Sequence, residues 1–241
     1  MTEPTDEGTA MTAAEPADDL AGAHVTHGGP SAVHRLGGVT VRKASVSGED
    51  NNAYLVTAAD GAQLLVDAAD DAPRLLALVA EGSGRLDAVV TTHRHWDHHR
   101  ALPEVVAATG ALTLAGAPDA AELPVPAGRT LTDGDTVVVG DLTLDVVALR
   151  GHTPGSVALA LTEPDDGPHP GRVHLFTGDS FFPGGPGRTT SPRDFTSLMD
   201  DLERRVFDRF DDDTRVYPGH GDDTTLGRER PHLGEWRARG W

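Results

Sequence analysis

The chain of 241 residues contains no cysteine. That excludes disulfide bonds, zinc sites built on thiolates and a cysteine nucleophile. Basic residues are scarce: 20 Lys and Arg stand against 38 Asp and Glu, for a formal net charge of −18. Contact with nucleic-acid phosphates needs clustered Lys and Arg, so no nucleic-acid partner is expected. No apolar run approaches the roughly 20 residues that cross a bilayer, so no membrane association is expected either. The first thirty residues have few large apolar side chains and no Lys or Arg, while Glu3, Asp6, Glu7, Glu15, Asp18 and Asp19 crowd into them. They offer neither the basic start nor the apolar stretch of a secretory signal, and the expected location is cytoplasmic. Such a composition cannot bury enough surface to offset its ordering entropy. Residues 1–31 therefore read as a disordered acidic tail, with His24 and His27 as solvated tail side chains. Residues 32–241 read as one domain, long enough to bury a sizeable core.

Against these absences stands a concentration of imidazole. Thr92-His93-Arg94-His95-Trp96-Asp97-His98 sets three His and one Asp within six residues, directly after an apolar run at 86–90. A grouping of that kind has one common use, which is holding metal. Three further segments carry one such group each: Gly151-His152-Thr153-Pro154-Gly155, Thr177-Gly178-Asp179 and Pro218-Gly219-His220-Gly221. Each follows an apolar or β-branched run, at 142–149, 173–176 and 214–217. Glycine lets the backbone turn tightly there, so the side chain can be aimed at one point. Neutral imidazole and carboxylate suit Zn, Fe, Mn or Ni.

On these segments, taken in order, the chain resembles the metallo-β-lactamase fold superfamily, and within it the glyoxalase II-like hydrolases. The resemblance runs over residues 36–233. It implies an α+β fold, an αβ/βα four-layer sandwich of two mixed β-sheets with helices on the outer faces and the site at the sheet edges. It implies two divalent metal ions, zinc foremost, with iron or manganese as alternatives. His93, His95 and His152 would hold the first metal, Asp97, His98 and His220 the second, and Asp179 would bridge them. Lactamases of the superfamily generally lack that bridging Asp, which points to the hydrolase side. Asp67, ending the run at 63–66, sits where the family has an Asp behind the ligand loop. It would accept from a ligand His and fix its tautomer. The other reading is an Asp that ends a strand or caps a helix.

Elsewhere the pattern alternates strands and helices. Residues 39–44, 53–56 and 63–66 read as an opening β meander with a turn at 59–61. Residues 73–79 and 102–108 read as helices, the second closed by Gly110. Residues 86–91, 112–114, 136–139, 142–149, 157–161 and 173–176 read as strands. Phe195, Leu198, Met199, Leu202, Val206 and Phe210 recur at helical spacing and predict one long amphipathic helix. Tyr54 is assigned to the core.

The resemblance implies hydrolysis of a thioester or related acyl ester by a hydroxide bridging the metals, with Asp97 orienting it. A small-molecule substrate and a monomer or homodimer are expected. His99, beside the ligand motif, is a candidate proton donor to the leaving group. Trp96, Phe181, Phe182 and Arg188 are candidate pocket residues, Arg188 as partner of a substrate carboxylate; the Phe pair serves equally well as core. Glyoxalase II proper carries a C-terminal helical domain that helps bind glutathione. Only 21 residues follow His220 here, so the acyl group and thiol stay open. Lactone hydrolysis would use the same seven ligands. A mono-iron persulfide dioxygenase would use His93, His95, His152 and Asp179. A non-catalytic module that keeps the fold is the remaining alternative.

Overall fold

The computed structural model describes residues 23–240. In chain order the strands are β1 (Ala32–Leu36), β2 (Val39–Ser45), β3 (Asn52–Thr57), β4 (Gln63–Val66), β5 (Ala88–Thr91), β6 (Leu112–Gly116), β7 (Arg129–Leu131) and β8 (Thr136–Val139). They continue with β9 (Leu142–Ala148), β10 (Val157–Thr162), β11 (Val173–Gly178), β12 (Phe181–Phe182), β13 (Gly185–Pro186), β14 (Arg215–Pro218) and β15 (Thr224–Thr225). The helices are α1 (Ala72–Glu81), α2 (Leu102–Thr109), α3 (Pro192–Leu202), α4 (Leu226–Glu229) and α5 (Leu233–Arg239). β1 to β7 form one sheet in that order, antiparallel from β1 to β4 and parallel from β4 to β7. The second sheet has the order β15-β14-β11-β10-β9-β8, with β11 and β14 its parallel pair. β12 and β13 form a small separate hairpin.

Side-chain alternation sets the layers. In β4 and β5 every residue is buried, as expected for strands covered on both faces. Leu64, Val66, Ala88 and Val90 face inward and join Tyr54, Val146, Leu159, Phe176 and Tyr217 in a core between the sheets. Leu65 and Val89 face the other way, onto Leu75 and Leu78 of α1 and Leu102 and Val105 of α2. On the far side, Val147, Leu175 and Val216 pack on Leu198, Met199 and Leu202 of α3 and on Trp236 of α5. Each such Leu or Phe contributes about 1.5–3 kcal/mol by leaving water. The result is helix, sheet, sheet, helix: the four-layer sandwich that the resemblance implies.

The expected strands and the first two helices are present, and Gly110 caps α2 with φ 70. The long helix differs. α3 ends at Leu202 and one π turn, Glu203–Phe207, follows it; Asp208 N donates to Glu203 O at 2.8 Å. The wider turn admits one extra residue, so Val206 and Phe207 are both buried while Phe210 moves to the margin. β1, β7, β12, β13, β15 and the C-terminal helices were not expected. They are short, and β1 half-buries alternate side chains before the buried Leu36.

The tail expected over residues 1–31 divides. Residues 1–22 lie outside the described residues, but those from Ala23 onward are packed against the body. Val25 is buried. Exposed His24 pairs through Nδ1 with Asp222 at 2.6 Å. Lys43, the chain's one lysine, is wholly buried. Its Nζ donates to Ala23 O at 2.5 Å, Gly221 O at 2.7 Å and Asp223 Oδ1 at 2.7 Å. Arg215 holds the other oxygen of Asp223 at 3.1 Å. Burial drives the Lys43 pKa down and Asp223 opposes it.

Removing Ala23 takes an acceptor from a buried ammonium, which costs about 1.5–3 kcal/mol. A chain shortened to begin at Ser31 is therefore expected to unfold at lower urea than one beginning at Ala23. Equal midpoints would count against the packing role of residues 23–30.

Candidate metal centre

The ligand-bearing turns share one edge of the sandwich. β5 ends at Thr91 and delivers His93, His95, Asp97 and His98. The β9–β10 turn carries His152, the end of β11 carries Asp179, and the end of β14 carries His220. β4, β5, β11 and β14 all run parallel to a neighbour, so their C-terminal ends open together, where α/β sheets bind ligands. Glycine is required at two close approaches. A Cβ at Gly178, which has φ +48, would collide with Thr92, and one at Gly219 would collide with Asp179 Oδ1 and His98 Cε1.

Six of the seven expected ligands fall into two trios, His93 with His95 and His152, and Asp97 with His98 and His220. Asp179 joins His93 and His98 in a third group that spans the two. His93 Nε2 lies 3.1 Å from His95 Nδ1 and 3.3 Å from His152 Nε2. His98 Nε2 lies 3.2 Å from His220 Nε2, and His220 Nε2 lies 3.3 Å from Asp97 Oδ2. Asp179 reaches both sides: Oδ1 is 3.3 Å from His98 Nε2, and Oδ2 is 3.7 Å from His152 Nε2 and 3.5 Å from His220 Nε2.

The outer nitrogens explain why the inner ones face each other. His152 Nδ1 donates to Arg188 O at 2.7 Å and His220 Nδ1 to Glu49 O at 2.8 Å. His98 Nδ1 donates to Asp67 Oδ2 at 2.8 Å. Thr92 Oγ1 gives its proton to Asp67 Oδ2, so at 3.1 Å it accepts from His93 Nδ1. In all four rings Nδ1 is satisfied outward and Nε2 is turned to the centre, the arrangement that orients a metal-binding imidazole. Asp179 Oδ1 is buried and takes no well-aligned hydrogen bond. Converging ring nitrogens and an unsatisfied carboxylate oxygen fit a cation.

Two buried carboxylates fasten the turns. Asp67, with φ 61, accepts from Thr92 N at 2.7 Å besides Thr92 Oγ1 and His98. It stands behind the ligand loop as expected; the helix cap is Asp71 instead. Asp119 was not foreseen. Fully buried, it accepts from Arg94 N at 3.1 Å, Thr153 Oγ1 at 2.5 Å and Gly155 N at 2.9 Å, joining the loop of His93 and His95 to that of His152. Asn51 was also missed as a site residue. Its Nδ2 lies 3.1 Å from Asp97 Oδ2 and 3.2 Å from His220 Nε2. The sole sequence signal for it was the Asn51-Asn52 pair opening β3. Tyr54 is core as assigned, its hydroxyl donating to Pro218 O at 2.6 Å.

The remaining candidates scatter. His99 is not brought to the ligands: its Nε2 lies 3.1 Å from Arg94 O, and it belongs to none of the three ligand groups. A short helical turn at Trp96–His98 rotates it away from His98. Phe181 is fully buried between Phe207 and Trp236, so it is core and not a pocket wall. Phe182 is half-buried, with its ring 6.4 Å from that of His220. Trp96 is 59% exposed and stacks under Arg100 at 3.3 Å. The Arg188 side chain is exposed and lines a cavity of about 420 Å³ with Phe195 and Arg239.

The electrostatics separate the trios. Burial, helped by His98, holds the His93 pKa well below the ordinary value, and burial lowers His95 and His152. These rings are neutral and ready to bind. Burial also opposes charge on His98 and His220, but carboxylates overcome it: Asp67 and Asp179 for His98, Asp179 and Asp97 for His220. Both pKa values rise to about 10. His220 in turn holds Asp97 below the usual carboxylate range.

The Metallo-beta-lactamase superfamily model matches residues 46–220, and the chain belongs to that superfamily. A hydroxyacylglutathione hydrolase of Fuscovulum blasticum is 43% identical over 141 residues, 58% of this chain and 51% of the relative. The chain spans about half the length of the curated relatives it matches first. The crystal structure of ETHE1 from Myxococcus xanthus is 30% identical with TM-score 0.68, covering 80% of this chain and 82% of that one. That of TTHA1623 in a di-iron-bound form is 30% identical with TM-score 0.63, covering 78% and 96%.

With their pKa values raised by Asp67, Asp179 and Asp97 against burial, His98 and His220 are expected to bind protons at pH 7 that a cation must displace. Metal uptake is therefore expected to release protons, measurable by calorimetry in buffers of different ionisation enthalpy. Release should fall away as pH rises through about 10. Asp67→Ala is expected to weaken loading of the Asp97 trio, and Asp119→Ala that of the His93 trio, each by about 10–100-fold in metal titrations.

Proposed function

We propose that this chain hydrolyses thioesters or related acyl esters with two divalent metal ions, zinc, iron or manganese. The observation that carries the reading is the pair of ligand trios with Asp179 set between them. His93, His95 and His152 would hold one ion, Asp97, His98 and His220 the other, and Asp179 both. Such a pair, when bound, supplies an activated water and a polarised carbonyl. The protein's part is to hold that geometry. Arg188 O, Glu49 O, Asp67 and Thr92 fix four rings. Asn51 fixes Asp97, which stays deprotonated beside His220. Half-buried Phe182 flanks the His220 side. Arg188, on the segment whose main chain holds His152, is the proposed partner of a substrate carboxylate. The similarity to hydroxyacylglutathione hydrolases supports a thioester as the bond cleaved. A small-molecule substrate and a cytoplasmic location, as monomer or homodimer, belong to the same proposal.

Convergence of Asp97, His98 and His220 weighs against the single-iron alternative, which leaves that trio unused. Lactones are the nearest competing substrates, since they use the same ligands. Elemental analysis of the purified protein is expected to find close to two metals per chain, with turnover of a thioester panel exceeding that of a lactone panel. Asp179→Ala should lower both metal content and turnover. A single iron per chain, or lactones alone as substrates, would replace the proposal.

A further inference from the structure

A second cavity beside the ligands has a charge unlike that of the chain as a whole. It measures about 430 Å³ and opens between His95, His152 and the first turn of α3. Its lining carries three guanidinium groups, Arg94, Arg150 and Arg193, against one carboxylate, Asp194. The whole chain has 38 acidic residues against 20 basic.

The three arginines are not equivalent. Arg150 grips the buried Asp201 with two bonds, Nε at 2.8 Å and Nη2 at 2.7 Å. Arg94 pairs with Glu122 and lies 3.9 Å from Asp119. Both are matched by carboxylates and held still. Arg193 is exposed and is the donor in no side-chain hydrogen bond among the described residues; its charged neighbour is Asp194, whose carboxyl is held low by Ser191 and Thr190 first and by Arg193 in addition. Its neighbour Asp194 is engaged elsewhere, Oδ2 accepting from Thr190 Oγ1 at 3.0 Å and Ser191 Oγ at 2.7 Å to close the cap of α3. The least constrained guanidinium of the cavity thus shares its lining with two imidazoles of the proposed metal site.

A guanidinium recognises carboxylate through paired, charge-assisted bonds. We infer that Arg193 is a specificity residue, and that the preferred substrates bear a carboxylate that enters the cavity between His95, His152 and α3. Arg94 and Arg150 form its fixed walls. The inference rests on the hydrolase reading and adds the charge class of the substrate to it. The carboxylate sits on the acyl half or on the thiol half, and the cavity accepts the same chemistry from either.

Three thioesters separate the cases: acetyl N-acetylcysteamine, neutral on both halves; succinyl N-acetylcysteamine, charged on the acyl half; and acetyl 3-mercaptopropionate, charged on the thiol half. The metal-loaded enzyme is expected to favour one of the charged pair in kcat/KM. Arg193→Ala should raise KM for that substrate about tenfold or more, as loss of a charged hydrogen bond does, with kcat unchanged. Arg193→Glu should raise it further, Arg193→Lys should restore part of it, and the neutral thioester should be insensitive to all three. Equal KM for charged and neutral substrates, or equal loss on all of them, overturns the inference while leaving the hydrolase intact. Absence of turnover on every thioester counts against the hydrolase reading. Calorimetric titration with succinate then decides for Arg193: weaker binding to R193E than to wild type supports its role, and equal binding overturns it.

Discussion

The site depends on a buried carboxylate that never faces it. Asp67 lies under the ligand loop with three donors around it: Thr92 N, Thr92 Oγ1 and His98 Nδ1. Imidazoles crowded to 3.1–3.3 Å of one another repel unless each ring has a place for its proton pointing away from the rest. Asp67 supplies that place for His98 directly and for His93 through the Thr92 hydroxyl. Its left-handed backbone, φ 61, is local strain of order 1–3 kcal/mol that the surrounding sheet must sustain. The strain is what turns the carboxylate from the end of β4 across to the end of β5. Asp119 does the corresponding work between the loops of His93 and His152 without a strained backbone.

This division explains how two sheets can share one centre. Sheet one contributes the clustered motif on a single loop, and sheet two contributes three isolated side chains on three separate turns. A loop can be braced from within by its own Thr92. Isolated turns must be braced from outside, by Arg188 O and Glu49 O for the imidazoles and by close packing against Gly219 for Asp179. Residues far apart in sequence therefore enter the centre through main-chain atoms, where side-chain identity matters little.

That is also the limit of what the sequence discloses. The convergent cluster was legible because imidazole and carboxylate in glycine turns are chemically unusual and recur in order. Strands β4 and β5 were legible because burial on both faces demands continuous apolar runs. Asp67 was legible through its place after such a run. Asp119 was not, since one Asp among the chain's many, in a long β6–β7 connection, carries no pattern; its role exists only after the loops meet. His99 misled because adjacency in sequence is not adjacency in a helical turn, where one residue rotates a side chain by about 100°. Phe181 misled for the related reason that neighbours in a short strand face opposite ways, sending Phe181 inward and Phe182 toward His220.

Lys43 has a consequence outside the fold. Acyl thioesters react with free amines, and a protein that meets them repeatedly accumulates acyl groups wherever a lysine stands at its surface. Here the one lysine is enclosed, with its ammonium shared among Asp223 and two carbonyl oxygens. The folded chain presents no side-chain amine for its proposed substrates to mark. Apart from histidine, every other basic side chain is an arginine, whose guanidinium those compounds do not readily acylate.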